Sequence, residues 1–264
     1  MRITKRILDR SISSILSAPF QARHYRAVWN MARTLEAFPV AFSRYISNGG
    51  SYPWTCRVRT PIGRRSVNLF SYHDLLTINE VFCRQDYPVD SDARVIVDLG
   101  ANIGISGLYF LTRNSGTRCY LFEPVPRNVE RLRANLAGLE DRFEIHEEAV
   151  ADRAGQLEFG VEDIGRYGGL GANTGQSITV TCRHINDVLA AILEKEERID
   201  LVKIDTEGEE ARTVAAIDPK LFARIGKIVY EYSVDGQPAV VRVATGQSSS
   251  VQASSSAVSG AAAR

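Results

Sequence analysis

Hydrophobic positions in the larger, C-terminal part of the chain alternate between short apolar runs and longer stretches with helical periodicity. Short runs rich in Val, Ile, Leu and Phe predict buried strands, and apolar residues on one helical face predict amphipathic helices. The predicted strands are 95–99, 118–123, 143–150, 156–161, 178–183, 200–205 and 227–232. The predicted helices are 103–114, 126–138, 185–196 and 209–224. This alternation predicts an α/β fold with a doubly wound, mostly parallel sheet that helices cover on both faces.

The chain before this alternation has a different pattern and is predicted to be an extension. Residues 1–48 are mainly helical in character, whereas 54–58 and 66–70 predict the two strands of a short hairpin. Residues 74–82 predict a helix that leads into the alternating part. We therefore assign 1–73 to an N-terminal helical and hairpin extension.

The C-terminal end departs from the alternating pattern. Residues 236–264 contain seven Ser, seven Ala and no acidic residue, and only 238–244 have strand character. This composition predicts a low-complexity, disordered tail over 236–264. A tail of this kind leaves one edge of the sheet uncovered, and an uncovered edge invites pairing with another subunit. An oligomer is therefore one expectation.

The most informative segment is Val95–Gly104, which reads Val-Ile-Val-Asp-Leu-Gly-Ala-Asn-Ile-Gly. A strand, a glycine turn and a helix in this order form a nucleotide-type pocket at the carboxyl edge of an open α/β sheet. Asp98 ends the apolar run, where an acid is costly to bury without a partner. We interpret Asp98 as a residue of a ligand pocket, and the alternative is that it caps amides of the turn.

A second apolar strand ends in another acid, Glu123, within Cys119–Pro124. Glu123 lies 19 residues beyond Gly104, the separation that one strand–helix–strand step needs. An acid at this place accepts hydrogen bonds from both hydroxyls of a ribose. The alternative is a solvated acid at the end of a strand.

The glycine turn discriminates between cofactors. A dinucleotide fingerprint requires Gly-x-Gly-x-x-Gly, but Asn102 stands here at the position of the second glycine. Asp98 would also repel a pyrophosphate and tolerate a cationic ligand. S-adenosylmethionine carries a sulfonium and an ammonium group and has no phosphate. The turn therefore favours S-adenosylmethionine, with NAD and an oxidoreductase activity as the alternative.

A third motif is the segment Ile199–Glu210, in which a strand runs into a dense acidic turn. Together with Val97–Gly104 and Phe122–Pro124, it resembles the FkbM-type methyltransferase family, whose hallmark is a Lys-Ile-Asp-x-Glu-Gly-x-Glu run at this place. Asp74–Phe82 and Tyr87 are also similar to the lead-in of that family. The three motifs occur in the right order at plausible spacings, which makes the combination specific.

The resemblance extends roughly from Asp74 to Glu231 and implies a Rossmann-like class I methyltransferase domain, which we place at 74–235. It implies an S-adenosylmethionine-dependent enzyme that O-methylates a hydroxyl of a sugar or natural product. In this reading the glycine turn approaches the methionine part, Glu123 holds the ribose, and Ala149 contacts the adenine. The residues expected to bind the cofactor are Asp98, Gly100, Ala101, Asn102, Gly104, Glu123, Ala149 and Asp205.

The acids at the ends of the fourth and fifth strands of the predicted parallel sheet are the candidates for removing a proton from the acceptor. Asp205 is the preferred catalytic residue, and Glu207 and Glu231 are also assigned to catalysis. Lys203 precedes Asp205 by two residues, so both side chains lie on one face of the strand and can pair. Glu209 is better explained as an acid that complements a helix dipole. A Mg²⁺ site is a minor alternative because these acids are few.

Charge and cysteine content indicate which partners and which cellular location the sequence predicts. The net charge of +1 predicts no nucleic-acid partner, but residues 1–45 carry eight basic and two acidic residues. Basic and apolar residues alternate at the start of this segment, which predicts either a docking helix or a peripheral contact with an anionic membrane. No apolar run is long enough to span a bilayer. Four scattered cysteines predict buried thiols and a cytoplasmic location.

The sequence therefore predicts a cytoplasmic O-methyltransferase that acts on a small-molecule or glycan hydroxyl. The first alternative is the NAD-dependent oxidoreductase. The second is a binding protein that keeps the methyltransferase fold but not catalysis, because the C-terminal composition is unusual for such a domain.

Overall fold

The computed structural model describes residues 22–161, 168–170, 176–206, 208–232, 240–245 and 248–252. Within these residues the chain forms two compact units, 22–86 and 87–252. The division falls after Asp86, whereas the sequence placed the boundary after residue 73. The basic amphipathic pattern at the N-terminus and the end of the predicted tail lie outside the described residues.

The first unit contains helices and the predicted hairpin. Its elements are α1 (Ala22–Thr34), α2 (Phe38–Ser47), β1 (Trp54–Thr60), β2 (Gly63–Leu69), α3 (Tyr72–Ile78) and a wider, π-type helical segment at Asn79–Arg84. The hairpin strands pair antiparallel along their whole length. Helix α3 begins at a reciprocal cap, because the Ser71 hydroxyl accepts from the Asp74 amide and the Asp74 carboxylate accepts from the Ser71 amide.

The strands of the second unit are numbered in chain order. They are β3 (Val95–Leu99), β4 (Arg118–Phe122), β5 (Phe143–His146), β6 (Ala149–Ala151), β7 (Gly155–Val161), β8 (Gly168–Leu170), β9 (Ser177–His184), β10 (Ile199–Ile204), β11 (Ile225–Tyr232), β12 (Val240–Thr245) and β13 (Ser248–Gln252). Among the described residues, seven of them form one sheet in the order β13-β12-β11-β10-β3-β4-β5. The five strands from β11 to β5 run parallel, which confirms the predicted fold class.

The helices of the second unit are mostly shorter than predicted. They are α4 (Ile105–Leu111), α5 (Pro126–Asn135), α6 (Ile185–Lys195), α7 (Glu210–Ala215) and α8 (Pro219–Phe222), with a 3-10 turn at Glu140–Arg142. The single helix predicted over 209–224 was wrong, since the structure has α7 and α8 there. Asp218 is extended, with φ −58° and ψ 130°, because the residue before a proline is disfavoured in the helical region.

Helix α6 shows how the apolar pattern builds the core. Its buried residues Ile185, Val188, Leu189, Ile192 and Leu193 recur at helical spacing. They form one hydrophobic cluster with buried side chains of the central strands β3, β4, β10 and β11. The apolar residues of the predicted helix 185–196 therefore form the face of α6 that packs on the sheet.

The predicted strand over 143–150 was wrong, because it is two strands in different sheets. Strand β5 ends at His146, and β6 begins at Ala149 in a second sheet of order β6-β9-β7-β8 within the described residues. The intervening pair Glu147–Glu148 interrupts the apolar run. Ala149 therefore does not continue the third strand of the parallel sheet, as the sequence suggested.

The prediction of an uncovered sheet edge was also wrong. Strand β12 pairs antiparallel with β11, from Ile228 opposite Ala244 to Tyr232 opposite Val240, and β13 pairs with β12. The three valines at 240, 241 and 243 provide the propensity for this strand. Residues 253–264 of the predicted tail lie outside the described residues.

The part of the chain that the structure describes contains no helix that is long and apolar enough to cross a membrane.

Candidate active site

The strand order of the parallel sheet reverses between β3 and β10. The chain moves from β3 outward through β4 to β5, and then returns on the other side through β10 to β11. Open α/β sheets bind ligands at such a switch point, beyond the carboxyl ends of the strands. The first sequence motif contains β3 and the turn after it, and the third contains β10 and the turn after it. The topology therefore places these two turns side by side.

The turn after β3 has an unusual backbone. Gly100, Asn102 and Gly104 adopt left-handed conformations with φ of 80°, 47° and 84°. Asn tolerates this region better than most residues, which explains why it can replace a glycine here. A Cβ atom on Gly100 would overlap with the backbone oxygen of Asp205. The glycine therefore lets the β3 turn lie directly against the end of β10.

A buried ammonium group links the two motifs. Lys203 lies opposite Asp98 in neighbouring strands, and its Nζ is 2.9 Å from Asp98 Oδ1, 3.1 Å from the Gly100 carbonyl oxygen and 3.3 Å from Asp205 Oδ2. The Lys203 side chain is 2% exposed. Burial alone would lower the pKa of Lys203, but the Asp98 and Asp205 carboxylates outweigh it and raise the pKa above its ordinary value. The predicted pair of Lys203 with Asp205 is confirmed.

Asp98 is occupied by protein groups. Its side chain is 0% exposed, Oδ1 pairs with Lys203, and Oδ2 accepts a hydrogen bond of 2.6 Å from the Ser106 hydroxyl. Sequence reasoning did not identify Ser106 or the Asp98–Lys203 pair. A direct contact between Asp98 and a cationic ligand stays a prediction.

Asp205 differs from Asp98 because its side chain is 31% exposed. The Tyr87 hydroxyl donates a hydrogen bond of 3.2 Å to Asp205 Oδ2, the same oxygen that faces Lys203. The Tyr87 ring centre lies 5.3 Å from the Lys203 ammonium. The sequence indicated Tyr87 only as part of the lead-in that is similar to the family, and it assigned the residue no role. The structure makes it a direct partner of the preferred catalytic residue.

The acidic turn after β10 is held by its last acid. Glu210 Oε1 accepts hydrogen bonds of 2.9 Å and 3.0 Å from the amides of Thr206 and Gly208, and Gly208 has a φ of 110°. Burial raises the pKa of the Glu210 carboxyl. Glu209 points elsewhere and pairs with Arg153 at 3.0 Å. The motif therefore contains two acids with structural contacts beside the candidate catalytic one.

Glu123 connects the glycine turn to the segment after β4. Its Oε2 accepts from the Asn102 amide at 2.9 Å, and its Oε1 accepts from the Val125 amide at 3.1 Å and the Asn128 side chain at 3.2 Å. The carboxyl group is 5% exposed, and burial raises its pKa to about 7, against the lowering effect of these donors. A ribose contact of Glu123 stays a prediction, for which Oε2 retains acceptor capacity.

Three buried oxygens near these groups have no hydrogen-bond partner within the described part of the chain. They are Asn102 Oδ1, Asn128 Oδ1 and Thr206 Oγ1. Unpaired buried polar atoms are rare and mark places where a ligand or water completes the network. Two of them are amide oxygens beside Glu123, where a ligand with hydroxyl or ammonium donors fits the acceptors present.

The comparisons with known proteins agree with this geometry. A family model for the methyltransferase FkbM domain matches residues 98–241, which is more than half of the chain and includes Asp98, Glu123 and Asp205. The chain belongs to the FkbM methyltransferase family. The resemblance inferred from the sequence is thereby confirmed.

The individual proteins and structures that resemble this chain share between 15% and 38% of aligned residues with it. The 31-O-demethyl-FK506 methyltransferase FkbM of Streptomyces tacrolimicus is 29% identical, covering 54% of this chain and 66% of that protein. The 2-O-methyltransferase NoeI of Sinorhizobium fredii is 38% identical, covering 25% and 26%. The precorrin-6y C5,15-methyltransferase structure from Geobacter metallireducens is 15% identical, with coverage of 55% and 56% and a TM-score of 0.32. The chain thus spans at most 66% of these curated relatives.

The side chains of two acids assigned to catalysis lie outside the described residues. Glu207 lies outside the described residues, and Glu231 lies in β11 with its side chain outside them. Their catalytic roles and the minor Mg²⁺ alternative therefore stay predictions.

Ala101 is buried, and its amide donates to the Phe122 carbonyl oxygen at 2.9 Å, which holds the glycine turn against β4.

The Glu123 carboxyl predicts a pH dependence of stability. Its pKa of about 7 in the folded protein lies above its ordinary value of 4.5, so the folded state keeps a proton that the unfolded chain releases between these values. The contribution of Glu123 to the free energy of unfolding is therefore favourable at low pH and is lost as the pH rises through about 7. Between pH 5 and pH 8, we expect wild type to lose roughly 3 kcal/mol relative to Glu123→Gln.

Urea unfolding at several pH values measures this difference directly. Glu158→Gln is the matched control, because it removes the carboxylate of an exposed glutamate in β7. Parallel stability curves for wild type and Glu123→Gln would contradict the prediction.

Proposed function

We propose that the protein is an S-adenosylmethionine-dependent methyltransferase that methylates a hydroxyl group of a sugar or natural product. The observation that carries the proposal is the partly exposed Asp205 carboxylate, held by Lys203 and Tyr87 at the switch point of the sheet. The names of the two curated relatives, the 31-O-demethyl-FK506 methyltransferase FkbM and the 2-O-methyltransferase NoeI, give oxygen positions. Family membership and the anchored carboxylate together support a hydroxyl acceptor.

The charge at the switch point favours a cationic cofactor. Lys203 neutralises only one of the two carboxylates of Asp98 and Asp205, so this cluster keeps a negative charge. A pyrophosphate would be repelled there, whereas a sulfonium and an ammonium group would be attracted. The negative charge of the cluster therefore favours S-adenosylmethionine over NAD.

The chain's own residues would hold the cofactor in two ways. The backbone of Gly100–Gly104 would line one side of the cofactor, because this turn follows β3 at the switch point of the sheet. Asn102 Oδ1 and Glu123 Oε2 would accept hydrogen bonds from donor groups of the ligand. The bound cofactor supplies an electrophilic methyl group on sulfur.

Asp205 would accept the proton of the acceptor hydroxyl. A base must lie within hydrogen-bond reach of that proton, and Asp205 is exposed enough to be reached. Lys203 and Tyr87 would keep the carboxylate oriented while the transfer takes place. Glu207 and Glu231 are further acids that we assign to the same step.

Titration calorimetry with S-adenosylmethionine and with NAD tests the cofactor. We expect binding of S-adenosylmethionine and none of NAD, and the opposite result would establish the oxidoreductase alternative. Mass spectrometry of reactions with a panel of glycans and polyketides tests the acceptor. Binding without transfer to any of these acceptors would favour the binding-protein alternative.

A further inference from the structure

Tyr87 contacts the candidate catalytic pair through both parts of its side chain. Its hydroxyl donates to Asp205 Oδ2 at 3.2 Å, and its ring centre is 5.3 Å from Lys203 Nζ. The ring is 5% exposed, so the phenol is fixed by its surroundings. Tyr87 is 118 residues from Asp205 in the sequence, and the contact exists only through the fold.

Lys203 is the one charged group that pairs with Asp205 in the part of the chain that the structure describes. Its ammonium is shared among Asp98, the Gly100 carbonyl and Asp205, and the distance to Asp205 is the longest of the three. The Lys203 ammonium is a hydrogen-bond donor, but its two shorter hydrogen bonds go to Asp98 Oδ1 and the Gly100 carbonyl oxygen. Tyr87 supplies Asp205 Oδ2 with a further donor at 3.2 Å.

We propose that Tyr87 is a positioning residue that orients Asp205 for its reaction with the acceptor. The hydroxyl holds Oδ2 on the Lys203 side, and Oδ1, which has no hydrogen-bond partner among the described residues, is the oxygen that would face a substrate. This inference rests on the function proposed above, because it requires that Asp205 act on the acceptor. Misplacement of a catalytic group by a fraction of an ångström is enough to slow a reaction strongly.

The test compares Tyr87→Phe, Asp205→Asn and the double variant. Tyr87→Phe keeps the ring against Lys203 and removes only the donor. We expect a roughly tenfold lower kcat with unchanged KM for S-adenosylmethionine and for the best glycoside acceptor found in wild type. In the Asp205→Asn background, the same change should lower kcat by less than about twofold, because the oriented carboxylate is already absent.

Tyr120→Phe is the matched control. Tyr120 is also buried, and its hydroxyl donates to a carboxylate, Glu196 Oε1, at 2.8 Å. It should leave kcat unchanged, since Glu196 follows α6 at the opposite end of the strands. A kcat loss for Tyr87→Phe of equal size in both backgrounds, or no loss at all, would overturn the proposal.

Unfolding of the ligand-free variants separates this proposal from the proposed function. Non-additive free energies of unfolding for Tyr87→Phe and Asp205→Ala, which removes both acceptor oxygens, support the contact, and additive ones overturn it, whether or not methyl transfer occurs. If S-adenosylmethionine fails to bind wild type, the proposed function fails, and Asp205 then has no acceptor to be positioned for. If it binds and Asp205→Asn lowers turnover but Tyr87→Phe does not, only the positioning role is wrong.

Discussion

Asp205→Asn is expected to bind S-adenosylmethionine as wild type does and to turn over about two to four orders of magnitude more slowly. This is the usual contribution of general acid–base assistance. The amide keeps the size of the side chain and one acceptor oxygen for Tyr87, but it cannot take a proton at the pH of the assay. Calorimetry measures the affinity, and formation of S-adenosylhomocysteine with the best acceptor measures turnover.

Glu209→Gln is the control from the same acidic turn. Its carboxylate pairs with Arg153 and Arg212, away from Lys203, so turnover should change little. Near-wild-type turnover of Asp205→Asn would transfer the role to Glu207 or Glu231, or would show that alignment of cofactor and acceptor suffices for the transfer.

Lys203→Met is expected to lower the free energy of unfolding by about 3–5 kcal/mol, the usual result of breaking a buried ion pair from one side. Asp98 is 0% exposed and would keep only the Ser106 hydroxyl as a partner. A carboxylate buried without its ammonium partner is unfavourable in the protein interior. Chemical denaturation at neutral pH measures the loss.

Two variants control this result. Lys195→Met removes an exposed lysine, 56% exposed, that pairs with Glu144 at 2.9 Å, and it should cost less than about 1 kcal/mol. Asp98→Asn combined with Lys203→Met removes both charges and should be more stable than Lys203→Met alone. If the double variant is the less stable one, the unpaired Asp98 charge is not the cause.

The buried Lys203 also explains why the hallmark motif has its spacing. Lys203 and Asp205 are two residues apart, so a strand places both on one face, and Lys203 lies opposite Asp98 in the neighbouring strand. Gly208 and Glu210 then bend the following turn and close it with two hydrogen bonds. Most of the motif therefore shapes the surroundings of Asp205.

The sequence by itself determined the central architecture and the place of the site. Strands such as 95–99 and helices such as 185–196 follow from local periodicity, which depends only on neighbouring residues. The approach of Asp98 to Asp205 follows because parallel strands end at the same edge of a sheet. The pair of Lys203 with Asp205 follows from the two-residue period of a strand.

The tertiary structure alone decided which partners these groups have. The sheet order places Asp98 opposite Lys203, 105 residues away, and pairs the two side chains in the interior. The same long-range packing brings Tyr87 to Asp205. It also decides that Ala149 starts a strand of a second sheet and that β12 covers the sheet edge. Contacts of this kind depend on strand order and crossover geometry, about which the periodicity of a single segment carries no information.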